Sequence, residues 1–206
     1  GCIQNDSLLY EYGKEVARQC RLIGVQINFA PVADVDNNPN NPVIGVRSFG
    51  EDKYKVGLFG SRIMLGMQDN GVMACAKHFP GHGDVSVDSH KDLPVINKSM
   101  AQLDSLELMP FKAMIAAGVG SIMVAHLSIP AIDTTTHLPT SLSYQNVTSL
   151  LREKLGFKGI TFTDALDMQG VAKYYPGAEG AVQSILAGND MLCLPQDVPA
   201  SIDSIL

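Results

Sequence analysis

One unit recurs about five times along this chain: a stretch with helical apolar spacing, a glycine that ends it, and a short apolar run. The first copy is the clearest. Asn5 and Asp6 form a polar cap, Leu8, Leu9, Tyr12, Val16, Cys20 and Ile23 follow at helical spacing, and Gly24 suits the left-handed position at a helix end. Val25, Ile27 and Phe29 then alternate with Gln26 and Asn28 up to Pro31, so the period shortens to two and predicts a strand. The same spacing predicts a helix from Asp52 to Asn70, closed by Gly71, and a strand from Val72 to Lys77. Ser99 caps a helix carrying Leu103, Leu106, Phe111 and Ile115, which Gly118 closes ahead of the strand Ile122–Ala125. Ser143 caps another with Val147, Leu150, Leu151 and Leu155, closed by Gly156 ahead of Gly159–Thr163. Ala178–Ala187, closed by Gly188, precedes Met191–Leu194, and a last amphipathic turn begins near Pro199.

Helices alternating with short apolar strands specify a parallel sheet with crossover helices, either an open doubly wound sheet or a closed barrel. A complete eight-unit barrel needs about 250 residues, whereas this chain has 206 and about five strands. The count therefore predicts an α/β fold that is part of a (β/α)8 TIM barrel. Residues 1–206 are expected to be a single domain, the central to C-terminal part of a longer barrel whose remaining units the parent chain supplies. A complete five-stranded open sheet is the alternative, but no G-x-G-x-x-G or P-loop run follows any strand to support its nucleotide-binding form.

Composition removes other classes. With 46% hydrophobic and 17% charged residues the chain can bury a core, and a formal net charge of -6 with scattered Lys and Arg argues against a nucleic-acid partner. No apolar run reaches the roughly 18 residues of a membrane span, and the first residues lack a signal-peptide layout. Cys2, Cys20, Cys75 and Cys193 lie far apart and read as small core residues, as do Met64, Met67, Met109, Met114, Met123 and Met191.

In parallel α/β folds the strand ends and the loops after them share one rim. The first strand leads to Asp34, Asp36 and, beyond an Asn- and Pro-rich loop, Arg47; the second to Lys77, His78, His82, Asp84, Asp88 and His90; the third to His126; the fourth to Asp164 and Asp167; the fifth to Gln196 and Asp197. Four of the five histidines thus fall at a strand end or in the loop after one. Asp88 and His90 are close enough for a carboxylate to orient an imidazole that shuttles a proton. Asp164, ending an apolar strand, is a candidate nucleophile or a cap. Asp34 and Arg47 are either an ion pair or, with Lys77 and His78, donors and acceptors suited to a sugar ring. Loop histidines that only knit the backbone together are the plain alternative, above all for His82. A metal site from His78, His82, Asp88 and His90 matches no standard spacing, so no metal or other cofactor is expected.

At Asn28–Asp36, Ile44–Gly50, Lys77–His90 and Thr163–Met168 the chain resembles glycoside hydrolase family 3, in particular its bacterial β-N-acetylglucosaminidases. The run Lys77-His78-Phe79-Pro80-Gly81-His82-Gly83-Asp84 with Asp88-Ser89-His90 carries most of the likeness. The resemblance implies a retaining exo-glycosidase that removes terminal non-reducing β-N-acetylglucosamine from peptidoglycan- or chitin-derived saccharides through a covalent glycosyl-enzyme. Asp164 then matches the nucleophile, His90 the general acid/base and Asp88 its partner. Asp34, Arg47, Lys77 and His78 match sugar-binding positions. A β-glucosidase or a phosphorylase of the same family, or a non-catalytic sugar-binding barrel, is the alternative reading. The compartment, bacterial cytoplasm or periplasm, is left open.

Overall fold

The computed structural model describes residue 3 and residues 5–206, so Cys2 lies outside the described residues. Helix α1 (Asp6–Leu22) starts at Asn5, whose side chain accepts the Ser7 and Leu8 N–H groups. It leads to β1 (Ile27–Asn28), and α2 (Lys53–Gln68), capped by Asp52, leads to β2 (Met73–Phe79). Helices α3 (Met100–Ser105) and α4 (Leu108–Ala116) precede β3 (Ser121–Val124). Helix α5 (Gln145–Lys154) precedes β4 (Ile160–Ala165). After α6 (Gln169–Ala172) and α7 (Glu179–Ala187) come β5 (Met191–Cys193) and α8 (Val198–Ile205), which Asp197 caps. The five closing glycines, Gly24, Gly71, Gly118, Gly156 and Gly188, all have φ between +71° and +106°, the left-handed conformation that costs glycine least.

All four strand pairings are parallel and the order is β1-β2-β3-β4-β5. Strand order that advances without reversing is the order of a barrel wall; a doubly wound sheet reverses at a switch point. The sheet curls into half a barrel, an incomplete (β/α) barrel as the unit count predicts. Its outer face, with Ala74, Ala76, Ile122 and Val124, packs on Phe59, Met64, Phe111 and Met114 of the helix layer. On the inner face Cys75, Met123 and Phe162 form a separate apolar cluster with Ile27, Ile160 and Cys193. Because side chains two apart on a strand share a face, Lys77 and Asp164 stand one step above this cluster, toward the C-terminal rim.

Three elements differ from the sequence expectation. The helix expected from Ser99 to Ala117 is two helices, since Leu106 leaves the helical region (φ -127°, ψ -76°) and the following Glu107 is buried. Pro110 sits in the first turn of α4, where no intrahelical N–H is missed. Helix α5 is wound wide, ending with an i to i+5 bond from Leu155 N–H to Leu150 O at 2.9 Å, a difference that apolar spacing over ten residues does not reveal. Met191 is half exposed rather than in the core, because β5 is an edge strand. Among the described residues no helix is long and apolar enough to cross a membrane.

Candidate active site

Strand β2 departs from alternation at the rim. Lys77 pairs with Met123 and Phe79 with Val124, so His78 is an extra residue in the ladder, a bulge. Both Lys77 and His78 consequently border one cavity, although neighbours on a regular strand face opposite ways. Strand β4 does the same: Phe162 pairs with Met191 and Ala165 with Cys193, and Asp164 and Ala165 both border the cavity. The cavity measures about 520 Å³, and Arg47, His82, Ser89 and His90 also line it, above an apolar floor that includes Phe29, Met123 and Cys193.

Behind this lining lies a buried carboxylate. Val32 and Ala33 stay in register with Lys77, which delivers Asp34 beside the bulge. Asp34 is 1% exposed and does not line the cavity; its Oδ2 faces His78 Nδ1 at 2.7 Å and its Oδ1 accepts the His82 N–H at 2.6 Å. Burial pushes the Asp34 carboxyl up, but the charge and hydrogen bond of His78, together with His82, hold it below the usual range. Arg47 does not pair with Asp34: its guanidinium donates to the Val43 carbonyl at 3.1 Å and approaches His78 Nε2 at 3.5 Å. His78 thus turns Nε2 toward Arg47 and Nδ1 toward Asp34, which fixes the orientation of its ring between them.

Asp164 is half-buried at the end of β4, where its Oδ1 accepts the Ala165 N–H at 2.9 Å. Burial raises its pKa, yet the nearby imidazoles of His78 and His126, the Ala165 N–H and Lys77 outweigh burial and keep it lowered, so Asp164 is a carboxylate at neutral pH. Burial first, and then the Arg47 charge, lower the Lys77 pKa, and Asp164 partly restores it. His126 is buried behind the strand end, with Nε2 2.9 Å from the Ala165 carbonyl and Nδ1 2.7 Å from Ser141 Oγ.

The third component is a loop. Asp88 Oδ1 accepts the His90 backbone N–H at 2.9 Å and meets His90 Nδ1 at 2.8 Å, which leaves Nε2 free. The His90 side chain is 64% exposed. The backbone bond from His90 is the main cause that lowers the Asp88 pKa, with the imidazole bond adding to it against slight desolvation. Of the other sequence candidates, Asp84 pairs with Lys98 at 2.6 Å and Asp197 caps α8, while Asp167 is exposed and off the cavity lining. Burial pushes the Cys75 thiol up to about 12 and Cys193 up to about 11, so neither is a thiolate nucleophile. No three His, Cys, Asp or Glu side chains among the described residues converge as metal ligands would.

Sequence spacing alone left three contributors unassigned. Ser89 bonds His82, Ser141 bonds His126, and Lys98 bridges Asp84 and the buried Glu107. The one visible signal was Glu107, a lone charge between Leu106 and Leu108 in an apolar helical run.

A half-barrel of parallel strands, with a carboxylate at one strand end and a carboxylate-held histidine on the loop after another, defines a barrel catalytic domain whose chemistry sits at the C-terminal rim. This chain belongs to glycosyl hydrolase family 3, whose N-terminal domain profile matches residues 1–206. It is 37% identical over 202 residues to "Beta-hexosaminidase A" of Pseudoalteromonas piscicida, covering 93% of this chain and 34% of that protein. It is 40% identical over 186 residues to a "Beta-hexosaminidase" of Thiobacillus denitrificans, covering 90% of this chain and 50% of that one. The solved family 3 β-N-acetylglucosaminidase of Paenibacillus sp. matches with a TM-score of 0.94 and 42% identity over 98% of this chain and 39% of its own. The chain therefore spans between about 34% and 58% of the length of the curated relatives it matches.

Proposed function

We propose that this chain is the catalytic part of a retaining β-N-acetylglucosaminidase, a single domain in which Asp164 is the nucleophile and His90 the acid/base. The observation that carries the reading is that Asp164 and His90, from the end of β4 and the loop after β2, line the same cavity. The beta-hexosaminidase relatives support an N-acetylhexosaminide as substrate.

In the first step an Asp164 oxygen attacks the anomeric carbon, the bond from that carbon to the leaving oxygen breaks, and the proton on His90 Nε2 passes to the departing oxygen. Asp88 stabilises the imidazolium that gives the proton, since its carboxylate accepts both the Nδ1–H and the backbone N–H. In the second step water attacks the anomeric carbon, its proton returns to Nε2, and the Asp164 ester bond breaks. Two inversions give net retention. Asp164 needs no activating base because it is already ionised. Lys77, His78 and Arg47 at the cavity wall bind sugar hydroxyls, and Asp34 contributes through the His78 ring it orients.

The test is hydrolysis of an aryl β-N-acetylglucosaminide by the full-length parent protein, beside its Asp164→Ala variant and the aryl β-glucoside. Turnover of the N-acetyl substrate that vanishes in the variant supports the reading; a folded parent that cleaves neither glycoside overturns it.

A further inference from the structure

The bonds within the Asp88–His90 pair are local. They fix the imidazole on its loop, two residues from its partner, but they do not fix the loop relative to Asp164. Ser86, Val87, His90 and Lys91 are exposed and Asp88 is half-buried, so little of this loop is anchored by packing. Ser89 is the exception, at 2% exposure. Its hydroxyl lies 3.0 Å from Nε2 of buried His82, whose backbone N–H is bound by Asp34. Its carbonyl accepts the Gly170 N–H at 3.1 Å from α6, the segment that follows the nucleophile strand. The two segments touch there: a Cβ at Gly170 would stand 3.1 Å from the Ser89 oxygen and 3.4 Å from that of Asp92. Further along the loop, Asp92 receives the Tyr174 hydroxyl at 3.1 Å and Lys173 Nζ at 3.0 Å, the latter an exposed and correspondingly weak ion pair.

We propose that Ser89 is a positioning residue that sets the distance between the acid/base histidine and the nucleophile, by tying the loop of His90 to the site floor through His82 and to the segment after β4 through Gly170. The proposal rests on the glycosidase reading above. Its physical basis is that proton transfer tolerates little misplacement: an error of about 1 Å costs on the order of 100-fold. A hydroxyl that only stabilised the loop would act on every substrate alike. One that places a proton donor acts on those substrates whose leaving group needs the proton.

The experiment measures kcat/KM of the full-length protein for two aryl β-N-acetylglucosaminides, one releasing phenol and one releasing dinitrophenol, which departs as the anion unaided. Ser89→Ala is expected to lower kcat/KM for the phenyl substrate by about 10- to 100-fold, and to leave the dinitrophenyl value within about threefold. His82→Leu, which removes the partner from the other side, is expected to give the same split and serves if Ser89→Ala folds poorly, as judged by its circular dichroism and thermal midpoint. His90→Ala is the reference, with the same split but larger. Equal losses on both substrates, or none, in Ser89→Ala and His82→Leu while His90→Ala splits them would overturn the role of Ser89 alone. No split in His90→Ala would remove the acid/base assignment, and the positioning role with it.

Discussion

Asp164 and His90 line the same cavity, yet they are held by opposite means. Asp164 sits on a strand whose neighbours are sheet hydrogen bonds, with buried His126 behind it. His90 rides on a mostly exposed loop whose dyad partner is two residues away. Strand ends fix geometry through many cooperative bonds, whereas a loop depends on a few latches. The strand side should therefore fail through chemistry when substituted, and the loop side through placement.

The largest effect expected is at Asp164: Asp164→Ala should reduce kcat/KM by about 10⁴-fold or more on every aryl glycoside, measured by initial rates, with the thermal midpoint little changed. For His90→Ala the loss should be about 10²- to 10⁴-fold where the leaving group needs a proton, and added azide should restore turnover of activated substrates by replacing water at the anomeric carbon.

Stability separates the regions next. Lys98 holds Asp84 and Glu107 together beneath the loop, and Glu107 is 2% exposed. Lys98→Met strands that carboxylate and should cost about 3 kcal/mol in a urea titration; an unchanged midpoint would show that the loop does not need this bridge. His82 gives a pH-dependent contribution of about the same size. Burial lowers its pKa from 6.5 to about 4. The unfolded chain therefore binds the proton first as pH falls, so stability is full above about pH 6.5 and declines toward pH 4, by up to about 3 kcal/mol. His82→Leu should flatten that slope in chemical denaturation across the window. The smallest change is expected at Asp92→Ala, with the urea midpoint barely moved, because its ion pair with Lys173 is solvent-exposed.

Much of this architecture could be read from the sequence because the units announce their own ends. The caps Asn5 and Ser99 and all five closing glycines occupy the positions their spacing indicated, whereas Ser143 stands one residue ahead of the first capping position of α5, Tyr144. The barrel emerged from unit count and resemblance, and the strand order agrees with it. Less visible were features set by long-range contact. Nothing local marks Ser89 as buried between exposed neighbours, because its partners lie 7 residues away at His82 and far along the chain at Gly170. Nor does alternation foretell a bulge, so Lys77 and His78 were placed at the rim by the strand end alone. The resemblance groups Asp34 with sugar-binding positions, yet its side chain stands one layer behind the cavity lining, because a carboxylate that faces the His78 ring and accepts the His82 amide is enclosed by the groups it orients.

The bulge in β2 gives His78 an unusual standing. Residues on either side of it, Lys77 and Phe79, already pair with consecutive positions of β3, Met123 and Val124. Removal of His78 by deletion, rather than by substitution, would leave those two pairings in step and bring the ladder back to simple alternation. Ladder pairing thus makes no demand for a residue at this point; the demand comes from buried Asp34, whose carboxylate accepts the His78 N–H and faces its ring, so a deletion here would keep the pairing and strand that carboxylate. Insertion, as well as replacement, is a way for a barrel of this kind to acquire a reactive wall.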